Sequence, residues 1–218
     1  MRRIILSLLI AFALTLPAMC VEFIPKYKGN IQNYGIGLYF GTGKATVYEA
    51  PDTNSKVLAE LSWDAQTVKI NNEIIAPKNV FAVFIPRKSL SGFIVVDEQG
   101  TEFTKIIYNN PQQLEGWIKN EEQNKAFYWR QLFYKYGKTK GLALFLNTPK
   151  EEKILRLTPE ELGETSYQFV LPKYIRLQLI KGNWALLKVV DYDSEQKVGW
   201  FKWRNEDGTL NMFPQFEE

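Results

Sequence analysis

Residues 115–120, EGWIKN, recur with small changes at 198–203 as VGWFKW. A second pair of segments follows the same order along the chain, TVYEAPDTNSKVLAEL at 46–61 and LALFLNTPKEEKILRL at 142–157. In each of these segments a short apolar stretch leads to a proline turn, polar residues and a second apolar stretch. Two correspondences in the same order predict an internal duplication.

The two predicted copies differ in length. When Pro51 is matched with Pro149, the first copy has more residues than the second before its Gly-Trp pair. Loops tolerate such additions better than strands do. The surplus is therefore expected in loops around 97–100 and 109–111.

Apolar and polar residues alternate within each copy, for example at 81–85 and 175–179. This period of two, with β-branched and aromatic residues, is typical of short antiparallel strands. Hairpin turns are indicated by Lys-Gly-Asn at 181–183 and by Asn-Glu-Asp-Gly at 205–208. The pattern predicts an all-β chain made of two small units in series.

Three motifs carry a family resemblance: the VYEAPDTNSKVLAEL start, the GNWALLKV strand and the Gly-Trp pair near the end of each copy. They resemble the bacterial Src homology 3-like domains of exported cell-envelope proteins, over about 41–120 and 141–214. The resemblance implies two small Src homology 3-like β-barrels in tandem. The first copy lacks a tryptophan that matches Trp184, and Phe93 is the nearest candidate.

These observations predict a domain organisation. The five predicted segments are a signal peptide at 1–20, a lead-in segment at 21–40, a first barrel with loop insertions at 41–120, a linker at 121–140 and a second barrel at 141–218.

The linker has two interpretations. Asn120 is a candidate cap for a short helix that ends at Gly137. One face of that helix would carry Ala126, Trp129, Phe133 and Tyr136. Alternatively, WIKNEEQNKAFYW aligns with WFKWRNEDGTLNMF, which would place 121–125 in the turn of an extended hairpin. We favour the helix, and in both interpretations the aromatic residues are expected to pack between the barrels rather than hold a cofactor.

The first 20 residues resemble a secretory signal peptide, with Arg2 and Arg3 before an apolar run from Ile4 to Leu16. That run is shorter than the ~20 residues that a helix needs to span a bilayer. The sequence predicts an exported protein, periplasmic or extracellular, with no integral membrane span. Lipidation of Cys20 is the minority alternative, because Pro17 and Met19 stand where a lipoprotein signal has Leu and a small residue.

Composition narrows the chemistry. The chain has no histidine and its only cysteine is Cys20. A Ser-His-Asp triad, a Cys-His peptidase and the common His or Cys zinc sites are thereby excluded. With 27 Lys and Arg against 24 Asp and Glu, the charge does not indicate nucleic-acid binding. We predict a protein without catalytic residues, cofactor or metal.

Gly41-Thr42-Gly43-Lys44 resembles the end of a phosphate-binding loop. A loop of that type needs Gly where this chain has Leu38, and Ser or Thr where it has Ala45. The residues that follow, 46–48, are predicted to form a strand and not the helix that would face a phosphate. The segment is therefore expected to lead into a strand.

The family resemblance implies a non-catalytic module with an aromatic-lined groove for a cell-wall peptide or glycan, or for another envelope protein. Flat aromatic rings with a few polar groups suit extended chains. The predicted ligand-binding residues are Tyr48, Trp63, Trp184, Tyr192, Trp203 and Arg204. Trp117 and Trp200 are expected to close the two cores, which would leave Trp203 exposed on the opposite face.

Two other functions remain open. The first alternative is a structural or assembly protein that contacts other exported proteins. The second is a carboxylate-dependent glycan hydrolase, because the 24 acidic residues allow many carboxylate pairs.

Overall fold

The computed structural model describes residues 35–99, 101–121, 126–145, 148–169, 172–191 and 195–216. The predicted signal peptide and Tyr192 lie outside these ranges. Within them, no helix has the length and apolar character needed to cross a membrane.

The described strands form two antiparallel sheets, which confirms the predicted all-β class. The first sheet contains β1 (Gly37–Phe40), β2 (Lys44–Tyr48), β3 (Val57–Trp63), β4 (Val68–Ile70), β5 (Glu73–Ile75), β6 (Val83–Ile85), β7 (Leu90–Gln99), β8 (Phe103–Asn109), β9 (Leu114–Lys119) and β10 (Ala126–Tyr128). The second contains β11 (Leu142–Leu144), β12 (Ile154–Arg156), β13 (Thr165–Gln168), β14 (Tyr174–Lys181), β15 (Trp184–Val190), β16 (Gln196–Lys202) and β17 (Met212–Pro214).

The two sheets repeat one strand order. Neighbouring strands run β10-β1-β7-β8-β9-β2-β3 in the first sheet and β17-β11-β14-β15-β16-β12-β13 in the second. The chain also visits the corresponding strands in the same sequence, apart from β4, β5 and β6, which have no counterpart. Each sheet, with the loops of its strands, is called a unit below.

The register of the strands aligns the two units. A β-bulge between Val47 and Tyr48, opposite β3, recurs between Leu155 and Arg156, opposite β13. The hydrogen bond that follows each bulge is also repeated: Glu49 N donates to Lys56 O, and Leu157 N donates to Glu164 O, both at 2.9 Å. The hairpins β2–β3 and β12–β13 are therefore equivalent.

This alignment corrects the matching made from the sequence. Pro51 corresponds to Pro159 and not to Pro149, because β2 pairs with β9 just as β12 pairs with β16. Strand β11 is instead the counterpart of β1. The match with Pro149 failed because the second unit has two such prolines: Pro149 precedes β12, and Pro159 lies in the turn between β12 and β13.

The extra residues of the first unit lie between β3 and β7 and include β4, β5 and β6. The loops predicted at 97–100 and 109–111 are not the main site of the insertion, and 97–99 belong to β7. The counterpart of Trp184 is Phe103 and not Phe93, since Phe103 faces Lys119 as Trp184 faces Lys202.

The first sheet extends beyond the predicted limits of 41–120. Strand β1 pairs with both β7 and β10, so part of the predicted lead-in segment and part of the linker are strands of this sheet. Only glycine fits at position 37, because a Cβ there would lie 2.1 Å from Phe127 O.

A helix does follow in the linker, and it is shorter than predicted. It begins at Trp129 as α1 (Trp129–Leu132) and continues as a π-helical turn from Phe133 to Gly137. It cannot begin earlier because β10 is engaged in pairing with β1. The alternative of an extended hairpin is wrong for the described residues, since β10 pairs with β1 and not with β9.

The helical segment packs between the two units, as predicted for its aromatic residues. The Trp129 ring lies 5.5 Å from Phe213 and the Phe133 ring 4.6 Å from Trp203, measured between centroids. One apolar cluster unites this segment with the second sheet and with Leu38 of the first. A separate cluster forms the core of the first unit alone. The two units are thus joined by buried apolar surface.

Candidate functional site

The residues predicted to bind a ligand do not form one site. Tyr48 and Trp63 lie at opposite ends of the β2–β3 hairpin, because Tyr48 faces Val57 at the far end of β3 from Trp63. Trp184 lies in the second sheet. Trp203 and Arg204 line a cleft between the units. Tyr192 lies outside the described residues.

The Gly-Trp pairs are oriented opposite to expectation. Gly116 and Ile118 face the core, so Trp117 between them is half-buried on the other side of the sheet. Trp200 is placed in the same way between Gly199 and Phe201. The prediction that Trp117 and Trp200 close the cores is therefore wrong.

The exposure predicted for Trp203 is also wrong. Its side chain is 4% exposed and its Nε1 donates to Gly182 O at 3.0 Å. The two side chains do lie on opposite faces, as expected for Trp200 and Trp203. The face that carries Trp203, however, is covered by the helical segment. Its neighbour Arg204 is half-buried.

An open aromatic groove of about 270 Å³ lies beside Trp63. Its apolar wall is formed by Trp63, Phe84 and Pro86. Its remaining lining is small or polar: Gly41, Thr42, Gly43, Asp64, Ala65, Ser89 and Ser91. The groove thus combines the β1–β2 loop with the insertion that only the first unit has; it is called the Trp63 groove below.

Aromatic packing holds the Trp63 ring in place. It meets Phe81 and Phe93 edge to face, at centroid distances of 5.3 and 5.4 Å. Phe84 stacks on Phe81 with an interplanar angle of 5°. Such contacts stabilise a fixed ring orientation. Because Phe81 and Phe93 are buried and Trp63 is half-buried, the core supports a ring that still has an open face.

The loops around this groove are fixed by backbone bonds. Trp63 N donates to Gly43 O at 2.8 Å, and Gly43 has a φ of 75°, which favours glycine. The Asp64 carboxylate accepts from Gln66 N and Thr67 N, both at 2.7 Å. These two bonds stabilise the charged form and lower the pKa of Asp64. Residues 41–43 join β1 to β2, in agreement with the expectation that they lead into a strand.

A second cleft, of about 230 Å³, lies beside Trp184. Charged residues dominate its lining, with Glu151, Glu152 and Glu161 facing Arg156 and Lys202. Several of these charges are already engaged: Lys202 pairs with Glu161, and Arg156 Nη1 donates to Gly163 O at 2.7 Å. It is therefore less apolar than the Trp63 groove.

Two further clefts, of about 420 and 370 Å³, lie between the units and share Ile36 and Arg204. Neither was foreseen, because their walls come from segments distant in sequence.

Phe84 and Pro86 of the Trp63 groove were also missed. The alternation at 81–85 indicated a strand there, but not that it ends beside Trp63.

Among the described residues no group of three or more Cys, Asp or Glu side chains is arranged to hold a metal ion. Comparison with protein-family models, curated proteins and solved structures gives no significant match to the chain.

Proposed function

We propose that this protein is an exported, non-catalytic binding module of the cell envelope, built from two Src homology 3-like units. The observation that carries the proposal is the Trp63 groove, in which a supported aromatic wall faces a rim of small and polar residues. Its ligand is an extended cell-wall peptide, one side chain of which packs against the Trp63 ring.

The shape and chemistry of the groove support a chain-like ligand. The groove is open along one side, and its rim includes the exposed side chain of Ser89 and backbone groups of the surrounding loops. A rigid ring loses little conformational entropy when it binds, while a rim hydroxyl can hydrogen-bond a peptide backbone. Tyr48 and Trp184 stay predicted contact residues, but they lie outside this groove.

Substitution of Trp63 tests the proposal. We expect Trp63→Ala to weaken retention of the purified protein on isolated cell walls by about tenfold, because one aromatic anchor contributes on the order of 1–2 kcal/mol. Co-sedimentation with cell walls over a range of protein concentrations measures the effect.

Two variants control for folding and for exposed apolar surface. Trp63→Phe preserves a ring against Phe81 and should retain most of the binding. Ile74→Ala removes an exposed apolar side chain from the same insertion and should leave binding unchanged. Equal retention of the wild type and Trp63→Ala, with both proteins folded, would contradict the proposal.

A glycan hydrolase remains the second candidate, and the three glutamates beside Trp184 are the observation that favours it. Paired carboxylates can act as acid and base on a glycosidic bond. Release of new reducing ends from cell walls, and its loss in Glu152→Gln, would support this activity.

A role as a structural or assembly protein predicts instead that crosslinking in the native envelope captures another exported protein.

A further inference from the structure

The two clefts between the units form one trench with charges of opposite sign at its ends. Ile36 and Arg204 belong to both clefts and therefore lie where they meet. Residues of the first sheet, the helical segment and the second unit all contribute to its walls. The trench exists only because the units are docked.

One end of the trench is cationic. Of the described residues that line this end, only Arg130 and Arg204 are charged, with Arg204 at the point where the two clefts meet, and Asn183 adds a side-chain amide. Among the described residues, no carboxylate forms an ion pair with either arginine. Arg130 instead lies over the Tyr134 ring, 5.9 Å from its centroid.

The floor of the cationic end is apolar. It consists of Ile36, Ile180 and the buried rings of Trp129 and Trp203. The indole nitrogens are already bound, since Trp129 Nε1 donates to Gly35 O at 3.1 Å and Trp203 Nε1 to Gly182 O at 3.0 Å. Tyr128 also lines this end, and its hydroxyl donates to the Glu98 carboxylate. The side-chain polar groups left for a ligand are therefore those of the two arginines and Asn183.

The other end of the trench carries more negative than positive charge. Its lining holds three carboxylates, those of Asp97, Glu115 and Asp207, against two cations, Lys105 and the Arg204 that it shares with the other cleft. Lys105 is paired with Glu115 at 2.7 Å. No cation among the described residues forms an ion pair with Asp97 or Asp207. Each carboxylate accepts one backbone hydrogen bond, that of Asp97 from Glu98 N and that of Asp207 from Thr209 N.

We infer that this trench binds a dipolar peptide, with a carboxylate at Arg130 and Arg204 and an ammonium group at Asp97 and Asp207. Guanidinium groups bind carboxylates through paired hydrogen bonds, and acidic side chains bind ammonium groups. The apolar floor accommodates the uncharged atoms between them. This site is separate from the Trp63 groove and does not depend on the function proposed for it.

Titration with tetra-alanine, followed by NMR chemical shifts of the full protein, tests the assignment. The free peptide carries both charges, its C-terminal amide lacks the carboxylate and its N-acetyl form lacks the ammonium group. We expect the free peptide to shift signals of residues around Arg204. Each capped form should bind about five- to tenfold more weakly, because the lost charge leaves one end of the trench unmatched.

Matched substitutions identify the two ends. Arg204→Gln should weaken the free peptide about fivefold and should not weaken the C-terminal amide further, because the same interaction is already lost. Asp97→Asn should likewise weaken binding of the free peptide about fivefold, and it should not weaken binding of the N-acetyl form further. Lys56→Gln removes an exposed cation outside every cleft described above and should leave all three affinities unchanged.

Three outcomes would overturn the inference. The first is the absence of shifts around the trench at millimolar free peptide. The second is equal affinity for the free and capped peptides. The third is an affinity lowered equally by Lys56→Gln and Arg204→Gln, which would indicate only general charge attraction. Cell-wall retention that depends on Trp63 is a different measurement, so either result can fail without the other.

Discussion

Replacement of Trp129 by alanine is expected to lower the free energy of unfolding by about 3–5 kcal/mol, the usual range for truncating a buried tryptophan. Trp129 is 1% exposed, contacts Phe213 of the second sheet and bonds to Gly35 beside the first. Its loss leaves a cavity where the two units meet. Denaturant unfolding followed by circular dichroism measures the change.

A matched truncation separates position from residue type. Trp117→Ala removes the same side chain from the half-buried outer face of the first sheet and should cost less, about 1–2 kcal/mol. Trp129→Phe keeps a ring in the junction and should also cost less than the alanine variant. Equal losses for Trp129→Ala and Trp117→Ala would show that Trp129 has no special place between the units.

Addition of a methyl group at Gly116 or at Gly199 is expected to destabilise the protein by about 1–3 kcal/mol each. A Cβ at Gly116 would lie 2.3 Å from Val47 Cγ1, and one at Gly199 would lie 2.7 Å from Leu155 Cβ. The two glycines let equivalent strands approach closely in the two units. Unfolding midpoints of Gly116→Ala and Gly199→Ala measure both effects.

The two sites should differ in how they can be rescued. Val47→Ala removes the atom that clashes at Gly116, so the double variant should recover part of the loss in a double-mutant cycle. Leu155→Ala retains the Cβ that clashes at Gly199, so no recovery is expected there. Rescue at both sites, or at neither, would contradict the packing described around these glycines.

Part of the fold could be predicted because it depends on local sequence. Alternation at 81–85 and 175–179 follows from the geometry of a strand, and both segments contribute strands. The helix in the linker was predicted from its spacing, but its start was not. That start depends on the pairing of β10 with β1, a strand that lies far away in sequence.

The candidate sites could be predicted only in part. Trp63 was among the predicted contact residues because flat aromatic rings suit extended chains. Its partners Phe84 and Pro86 were not, since the insertion that carries them returns to Trp63 through tertiary packing. Trp203 was assigned to the surface because alternation does not reveal which side of a strand meets another unit.

By itself, the sequence determined the strand periodicity, the similarity of the Gly-Trp segments and the absence of histidine. The tertiary structure decided which strands are equivalent, which tryptophans are buried and where the clefts lie. Periodicity is set by the backbone of each strand, so it can be read locally. Burial depends on what covers each face, and here the helical segment and the second unit cover the side that carries Trp203.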